Sequence, residues 1–309
     1  MQSPEVVIQV EGLVKRYGEL TAVAGVSFEV ARGEVFGILG PNGAGKTTAL
    51  ECIEGLQTPS GGRAAVLGID TQEHADRVKA RIGVQLQASA YFEQLTLTEI
   101  LDLFGRMYPT RLPPLELLER VDLVEKAKTT VNKLSGGQKQ RFTLAASLVN
   151  DPEIVFLDEP TTGLDPQARR NVWDLIERMH GEGRTVVLTT HYMEEAQVLC
   201  QRVAIMDAGL IVALDTPTNL VLGLPVPYRI RLQASAPLPV GEMERLDAAR
   251  EVHARDGDSY TVTSTHAAKT LPDLQALVGR IGVTLDHLEV ITATLEDVFL
   301  ELTEKELRE

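Results

Sequence analysis

The sequence predicts an α/β fold with a small antiparallel β region, a helical insertion and a second, smaller α+β domain, and three observations predict it. A short apolar run, Glu34-Val35-Phe36-Gly37-Ile38-Leu39, enters a glycine-rich loop, and Thr47-Thr48-Ala49-Leu50-Glu51-Cys52-Ile53 leaves it without a helix breaker. Two more apolar runs, Ile154–Leu157 and Thr185–Thr190, end in polar residues and lead into helical stretches. The chain has 309 residues, enough for two domains at roughly 100–200 residues each.

The loop Gly40-Pro41-Asn42-Gly43-Ala44-Gly45-Lys46-Thr47-Thr48 fits the pattern G-x-x-x-x-G-K-[ST] at every specified position. Glycine has no Cβ, so the backbone can curl and aim successive N–H groups at phosphate oxygens, and the positive end of the following helix completes an anion site. Lys46 then reaches the β- and γ-phosphates as a point charge, and the Thr47 hydroxyl ligates Mg²⁺. A glycine-rich turn with an incidental Lys-Thr pair needs neither the entering strand nor the leaving helix. The expected core is therefore that of a phosphate-loop NTPase.

Composition narrows the function classes. Hydrophobic residues make up 44% of the chain and charged residues 24%, which is globular rather than disordered or fibrous. A net charge of −14 argues against broad nucleic-acid binding and against passive adsorption to an acidic membrane, both of which need a basic footprint. A local contact with a membrane protein needs no net positive charge and stays open. Cys52 and Cys200 are the only cysteines, so no disulfide framework is expected and a reducing cytoplasm fits. Met1-Gln2-Ser3-Pro4-Glu5 does not begin a signal peptide, and no run of about 18 apolar residues marks a transmembrane segment.

Ahead of the loop, residues 6–10 and 22–30 have strand-like character suited to an antiparallel subsheet. Tyr17 falls between them in a polar connection, where it either stacks on a purine or serves as an ordinary surface or packing tyrosine. After the loop helix, Thr58-Pro59-Ser60-Gly61-Gly62 signals a turn, Arg63–Gly68 a strand and residues 72–80 a helix. Ile82–Gln87 reads as a strand with glutamines near its end; a Gln amide can hold a metal-bound or attacking water, or simply be a satisfied surface group. Residues 95–126 read as mostly helical, interrupted at Pro109 and Pro113-Pro114, within a helical subdomain of about residues 88–150. Leu134-Ser135-Gly136-Gly137-Gln138 precedes a further helix, with Ser135 as its N-cap and accessible N–H groups that suit an anion.

Ile154-Val155-Phe156-Leu157-Asp158-Glu159 is an apolar strand closing on two carboxylates. Alternation along a strand sends neighbouring side chains to opposite faces, which gives the two acids different tasks. Asp158 is expected to hold Mg²⁺ and Glu159 to act as general base on a water aimed at the γ-phosphate. Asp165 caps the helix that contains Trp173, and His191 follows the strand Thr185–Thr190, placed to contact a γ-phosphate oxygen or the water, or else simply to start a helix.

Taken in order, these motifs resemble the ATP-binding cassette ATPases: an aromatic before the loop, a Gln-bearing loop, Leu134–Gln138, Leu-Asp-Glu-Pro, Gly-Leu-Asp-Pro and a switch histidine. The resemblance covers roughly residues 5–220 and implies ATP and Mg²⁺ as ligands. It implies that Tyr17 stacks adenine, Gln87 senses Mg²⁺ and the membrane partner, Asp165 lines a subunit contact and His191 holds the γ-phosphate. It further implies a head-to-tail dimer, in which Ser135, Gly136, Gly137 and Gln138 of one copy cap the ATP bound by Lys46 of the other, docked on a separate transmembrane permease at the cytoplasmic face. The Gln loop departs from the family's usual pattern, since Val-Gln-Leu-Gln offers Gln85 as a rival to Gln87.

Residues 1–220 are expected to form the nucleotide-binding domain and 221–309 a regulatory or dimerising accessory domain, entered through Gly223-Leu224-Pro225-Val226-Pro227. Thr294–Leu300, together with Thr189-Thr190-His191-Tyr192-Met193-Glu194-Glu195-Ala196, resembles the daunorubicin-resistance type of exporter ATPase. Leu295, Val298, Phe299 and Leu302 fit a plain amphipathic helix equally well. An importer subunit and a soluble cassette ATPase outside transport are the rival readings.

Overall fold

The computed structural model describes residues 5–86, 90–255 and 258–306. The chain divides into two compact units, one ending at Thr216 and one starting at Pro217.

The first unit opens with a long hairpin of β1 (Val6–Tyr17) and β2 (Leu20–Ala31). Both strands outrun their apolar cores. Gly12, at φ 56°, sits where the register shifts between Val10 and Leu13, and this bulge lets pairing resume beyond the charged Glu11. Tyr17 consequently ends β1 and pairs with Leu20, rather than lying in a polar connection. Strand β3 (Val35–Leu39) feeds the glycine-rich loop, which runs into α1 (Lys46–Ile53). Strands β4 (Gly61–Val66) and β5 (Ile69–Asp70) complete a four-stranded antiparallel sheet in the order β2-β1-β4-β5.

Next come α2 (Ala75–Lys79) and β6 (Ile82–Gln85), both shorter than their sequence patterns; Gln87 lies outside the described residues. The stretch expected to be mostly helical is split into α3 (Leu97–Gly105) and α4 (Pro114–Arg120), followed by short 3-10 turns, because its prolines cannot donate within a helix. Helix α5 (Gly136–Ser147) precedes β7 (Ile154–Asp158), α6 (Pro166–Gly181), β8 (Thr185–Thr190), α7 (Met193–Leu199), β9 (Arg202–Asp207) and β10 (Leu210–Asp215).

The second sheet has the order β10-β9-β3-β8-β7-β6. It is parallel from β9 to β6, with β10 antiparallel at one edge. Strands β3, β7 and β8 are buried along their whole length, which is why they read as continuous apolar runs without alternation. The two sheets share one core around α1, in which Phe28 of β2 stacks on Phe36 of β3 with centroids 5.0 Å apart. Parallel strands end at one edge, so the glycine-rich loop, Asp158 and Thr190 all emerge on the same side.

The second unit contains α8 (Pro217–Leu222), β11 (Tyr228–Ala234), α9 (Val240–Met243), β12 (Ala249–Arg255), β13 (Ser259–Ser264), α10 (Ala267–Ile281), β14 (Leu285–Thr292) and α11 (Leu295–Glu306). Its sheet is antiparallel in the order β12-β13-β11-β14 and carries its own core around Ile230, Leu232, Val262 and Leu274. The two edge strands, β12 and β14, are mostly exposed. They lack the clean alternation that marks β11, so no apolar pattern announces them.

Candidate functional site

Close backbone approach shapes the glycine-rich loop. Gly45 adopts φ 97°, and a Cβ there would strike the carbonyl oxygen of Ala22 in β2. A Cβ on Gly40 would likewise strike the carbonyl of Met206 in β9. Lys46 is buried at the start of α1, and its Nζ donates to the carbonyls of Gly40 and Pro41 at 2.9 and 3.0 Å. Ala44 is buried beneath the loop, its carbonyl accepting from the Gly209 N–H at 3.1 Å.

Strand β7 delivers the acids, with Asp158 paired to Thr189 of β8. The Thr47 hydroxyl donates to Asp158 at 2.9 Å to Oδ2 and 3.1 Å to Oδ1. Thr189 Oγ1 donates to Asp158 Oδ1 and accepts the Glu159 N–H at 2.9 Å, so one buried hydroxyl sets both acids. Sequence reasoning missed Thr189, because a threonine ending a buried strand looks like any β-branched residue.

Glu159 has φ 48°, the left-handed region that non-glycine residues seldom adopt. The strand stops at Asp158, and the two carboxylates diverge through this turn instead of through strand alternation. Glu159 is 8% exposed. Its Oε1 lies 3.3 Å from Lys46 Nζ, while Oε2 accepts from the Thr162 hydroxyl at 2.9 Å and lies 3.2 Å from His191 Nδ1. Burial pushes the Glu159 pKa up, but the Thr162 hydrogen bond and the Lys46 and His191 charges outweigh it and hold the carboxyl below its ordinary value.

Tyr17, Asn42, Gly43, Gly45, Lys46, Thr47, Thr48 and Glu159 line a cavity of about 460 Å³, together with Leu20 and Ala22. Tyr17 is 45% exposed at its mouth, with Lys15 Nζ 5.0 Å over the ring and its hydroxyl donating to Gln57 at 2.5 Å. Gln85 is buried, and its amide donates to the Asp158 carbonyl at 3.4 Å.

The Ser135 segment lies elsewhere. Ser135 and Gln138 form a reciprocal cap: Ser135 Oγ accepts the Gln138 N–H at 3.3 Å, and Gln138 Oε1 accepts the Ser135 N–H at 3.0 Å. Asp165 caps α6 by accepting the Ala168 N–H at 2.9 Å. Ser135, Gly136, Gly137, Gln138 and Asp165 line a second cavity of about 350 Å³ with Arg141, Gln167 and Asn171. It has no lining residue in common with the first.

Thr47 and Asp158 bring one hydroxyl and one carboxylate together, and among the described residues no group of three or more acidic, His or Cys side chains forms a metal cage. Such a sparse set fits Mg²⁺, which keeps waters and takes further oxygens from a phosphate ligand.

Residues 23–162 match the ABC transporter family. The chain is 40% identical to the Nod factor export ATP-binding protein I of Ralstonia nicotianae, over 98% of this chain and 95% of that one. It is also 40% identical to a daunorubicin resistance ATP-binding protein of Streptomyces coeruleorubidus, over 96% of this chain and 94% of that one. Among solved structures it is similar to a dimeric ATP-binding cassette in a post-hydrolysis state bound to ADP and Pi. That likeness has a TM-score of 0.62 at 27% identity and covers 68% of this chain and 98% of the other.

Proposed function

This chain belongs to the ABC transporter family as one of its ATP-hydrolysing cassettes, and we propose that it energises an ABC-2-type exporter from the cytoplasmic face of the membrane through a separate transmembrane permease. The relatives named for export and drug resistance support the outward direction. No helix among the described residues is long and apolar enough to cross a membrane, which agrees with a permease carried on another chain.

In this proposal ATP enters the cavity at the glycine-rich loop. Tyr17 stacks on the adenine, Gly40 to Thr48 wrap the phosphates with backbone N–H groups, and Lys46 turns from Glu159 to the β- and γ-phosphates. Thr47 and Asp158 hold Mg²⁺, which offsets charge on the phosphate oxygens, with Gln87 as a further ligand. Glu159, ionised at neutral pH because its neighbours hold its pKa down, accepts the proton of the attacking water. His191, beside Glu159, contacts the γ-phosphate.

The separation of the two cavities carries the proposal of a dimer. Lys46 and Glu159 line one, while Ser135 to Gln138 and Asp165 line the other. In a head-to-tail pair each loop meets the Ser135 segment of the second copy, Asp165 lies at the contact, and ATP binds the halves together. Residues 221–309 add to that contact.

Complementation tests this reading. Lys46→Ala and Ser135→Ala chains are each expected to hydrolyse ATP poorly, whereas a mixture recovers activity, because one site in each mixed dimer has both halves intact. No recovery on mixing would mean that the halves act within one chain. The accessory role fails if a chain truncated after Thr216 dimerises and hydrolyses ATP like the full chain.

A further inference from the structure

Between the Asp165 turn and His191 lies a side-chain clasp that the proposed mechanism does not use. Arg169 sits in the first turn of α6, its backbone N–H bonded to the Asp165 carbonyl at 2.9 Å. Its guanidinium carbon lies 4.1 Å from the centroid of the Tyr192 ring. One turn further along α6, Trp173 donates its indole N–H to Glu195 Oε1 at 2.9 Å, and Glu195 is fully buried in α7. Arg169 and Trp173 are four residues apart and Tyr192 and Glu195 three, so one face of α6 grips the start of α7 at two points.

Tyr192 passes this grip to the active-site side. Its ring packs on His191 with centroids 4.1 Å apart and planes at 42°. His191 Nδ1 then lies 3.2 Å from Glu159 Oε2. The Tyr192 backbone is itself tied, its N–H donating to Thr190 Oγ1 at 2.9 Å. An imidazole turns about two side-chain torsions, and an aromatic ring pressed on one face removes most of that freedom.

We infer that Tyr192, held by Arg169, is a positioning residue that aims His191, and that the α6–α7 clasp lets the Asp165 turn set the histidine's orientation. This rests on the reading of His191 as the γ-phosphate contact. Tyr192 does not line the nucleotide cavity, and its ring reaches that side through its packing on His191. Because the Asp165 turn faces the second copy in the proposed dimer, closure against that copy would aim His191 only when the site is complete.

ATP hydrolysis by the full-length chain tests this. Tyr192→Leu fills the volume without a π face, and it is expected to lower kcat about tenfold to a hundredfold while leaving KM for ATP within about twofold. Tyr192→Phe keeps the ring contact and recovers most of the rate, and Arg169→Ala loses about threefold to tenfold. The decisive readout is the double variant. If Tyr192 acts through His191, then His191→Ala combined with Tyr192→Leu is no slower than His191→Ala alone.

Additive losses in the double variant, or a Tyr192→Leu chain with normal kcat beside a dead His191→Ala chain, would overturn the inference and leave the role of His191 intact. Normal turnover by His191→Ala would overturn that role and the inference with it. A fall in kcat for Tyr192→Phe equal to that for Tyr192→Leu would assign the effect to the lost hydroxyl and overturn the ring-contact argument.

Discussion

Replacing Glu159 by Gln keeps the side chain's size and removes its charge, which separates chemistry from folding. At 3.3 Å from Lys46 the ion pair is worth about 5 kcal/mol of attraction at an effective dielectric near 20. Desolvation of a carboxylate that is only 8% exposed opposes most of that. In the variant Lys46 still donates to the Gly40 and Pro41 carbonyls, and the Thr162 hydroxyl can donate to the new amide oxygen. The loss of stability should then be at most about 3–5 kcal/mol, the range for removing one partner of a buried ion pair. Losing a general base costs about 10²- to 10⁴-fold in rate, equivalent to about 3–5 kcal/mol of activation free energy. The general-base loss falls on turnover and the ion-pair loss on stability, so a variant that stays folded should bind ATP and fail to turn it over. Single-turnover hydrolysis and size-exclusion chromatography with ATP provide the assay, the variant persisting as a nucleotide-bound dimer. Hydrolysis within tenfold of the parent chain would refute the general-base assignment.

The remaining predictions concern the loop, its buried carboxyls and the second unit. Gly45→Ala places a Cβ at φ 97° against the Ala22 carbonyl, and nucleotide affinity measured by fluorescence titration should fall at least tenfold, about 1.4 kcal/mol. Glu54, just after α1 and 1% exposed, has its pKa pushed up to about 8, chiefly by burial and then by Asp158 and Glu51. The folded chain then binds a proton that the unfolded chain releases above about pH 4.5, so this residue's contribution falls as pH rises towards 8 and levels off beyond it. Glu54→Gln should flatten that decline and raise stability at pH 8 by at most about 4 kcal/mol, read from urea unfolding at several pH values. Glu159 runs the other way: its lowered pKa gives stability that is present above pH 4.5 and lost as pH falls through the folded value, and Glu159→Gln should remove that acid limb. Residues 217–309 expressed alone should unfold in one cooperative thermal transition, because Ile230, Leu232, Val262 and Leu274 form a core within that unit; a broad, non-cooperative melt would refute this.

How much of this could be read from the sequence depended on whether the determining contacts were local. The glycine-rich loop was readable because its strand, glycines, Lys46 and Thr47 are contiguous and the backbone geometry they require is local. The caps by Ser135 and Asp165 were readable for the same reason, as each bonds a backbone N–H three residues on. What could not be read was made by distant partners. The left-handed Glu159 is held by the hydroxyl of Thr189, thirty residues away, which accepts its backbone N–H, a contact that no periodicity encodes. Strand β1 passes Glu11 only because a bulge at Gly12 keeps it paired with β2, and β12 and β14 exist only because β13 and β11 offer them edges.

The same distinction bears on the site. Parallel strands collect the glycine-rich loop, Asp158 and Thr190 at one edge by topology, whereas the cap at Ser135 opens α5 and the turn at Asp165 opens α6, lining another cavity. Two helix N-termini suited to phosphate, one behind Lys46 and one behind Ser135, therefore stand in one chain without a shared space. In the proposed head-to-tail dimer, a γ-phosphate bound at the first would accept hydrogen bonds from the second helix N-terminus of the other copy. In that dimer, removing the phosphate by hydrolysis would weaken the joint, so that one small chemical step would separate two large surfaces.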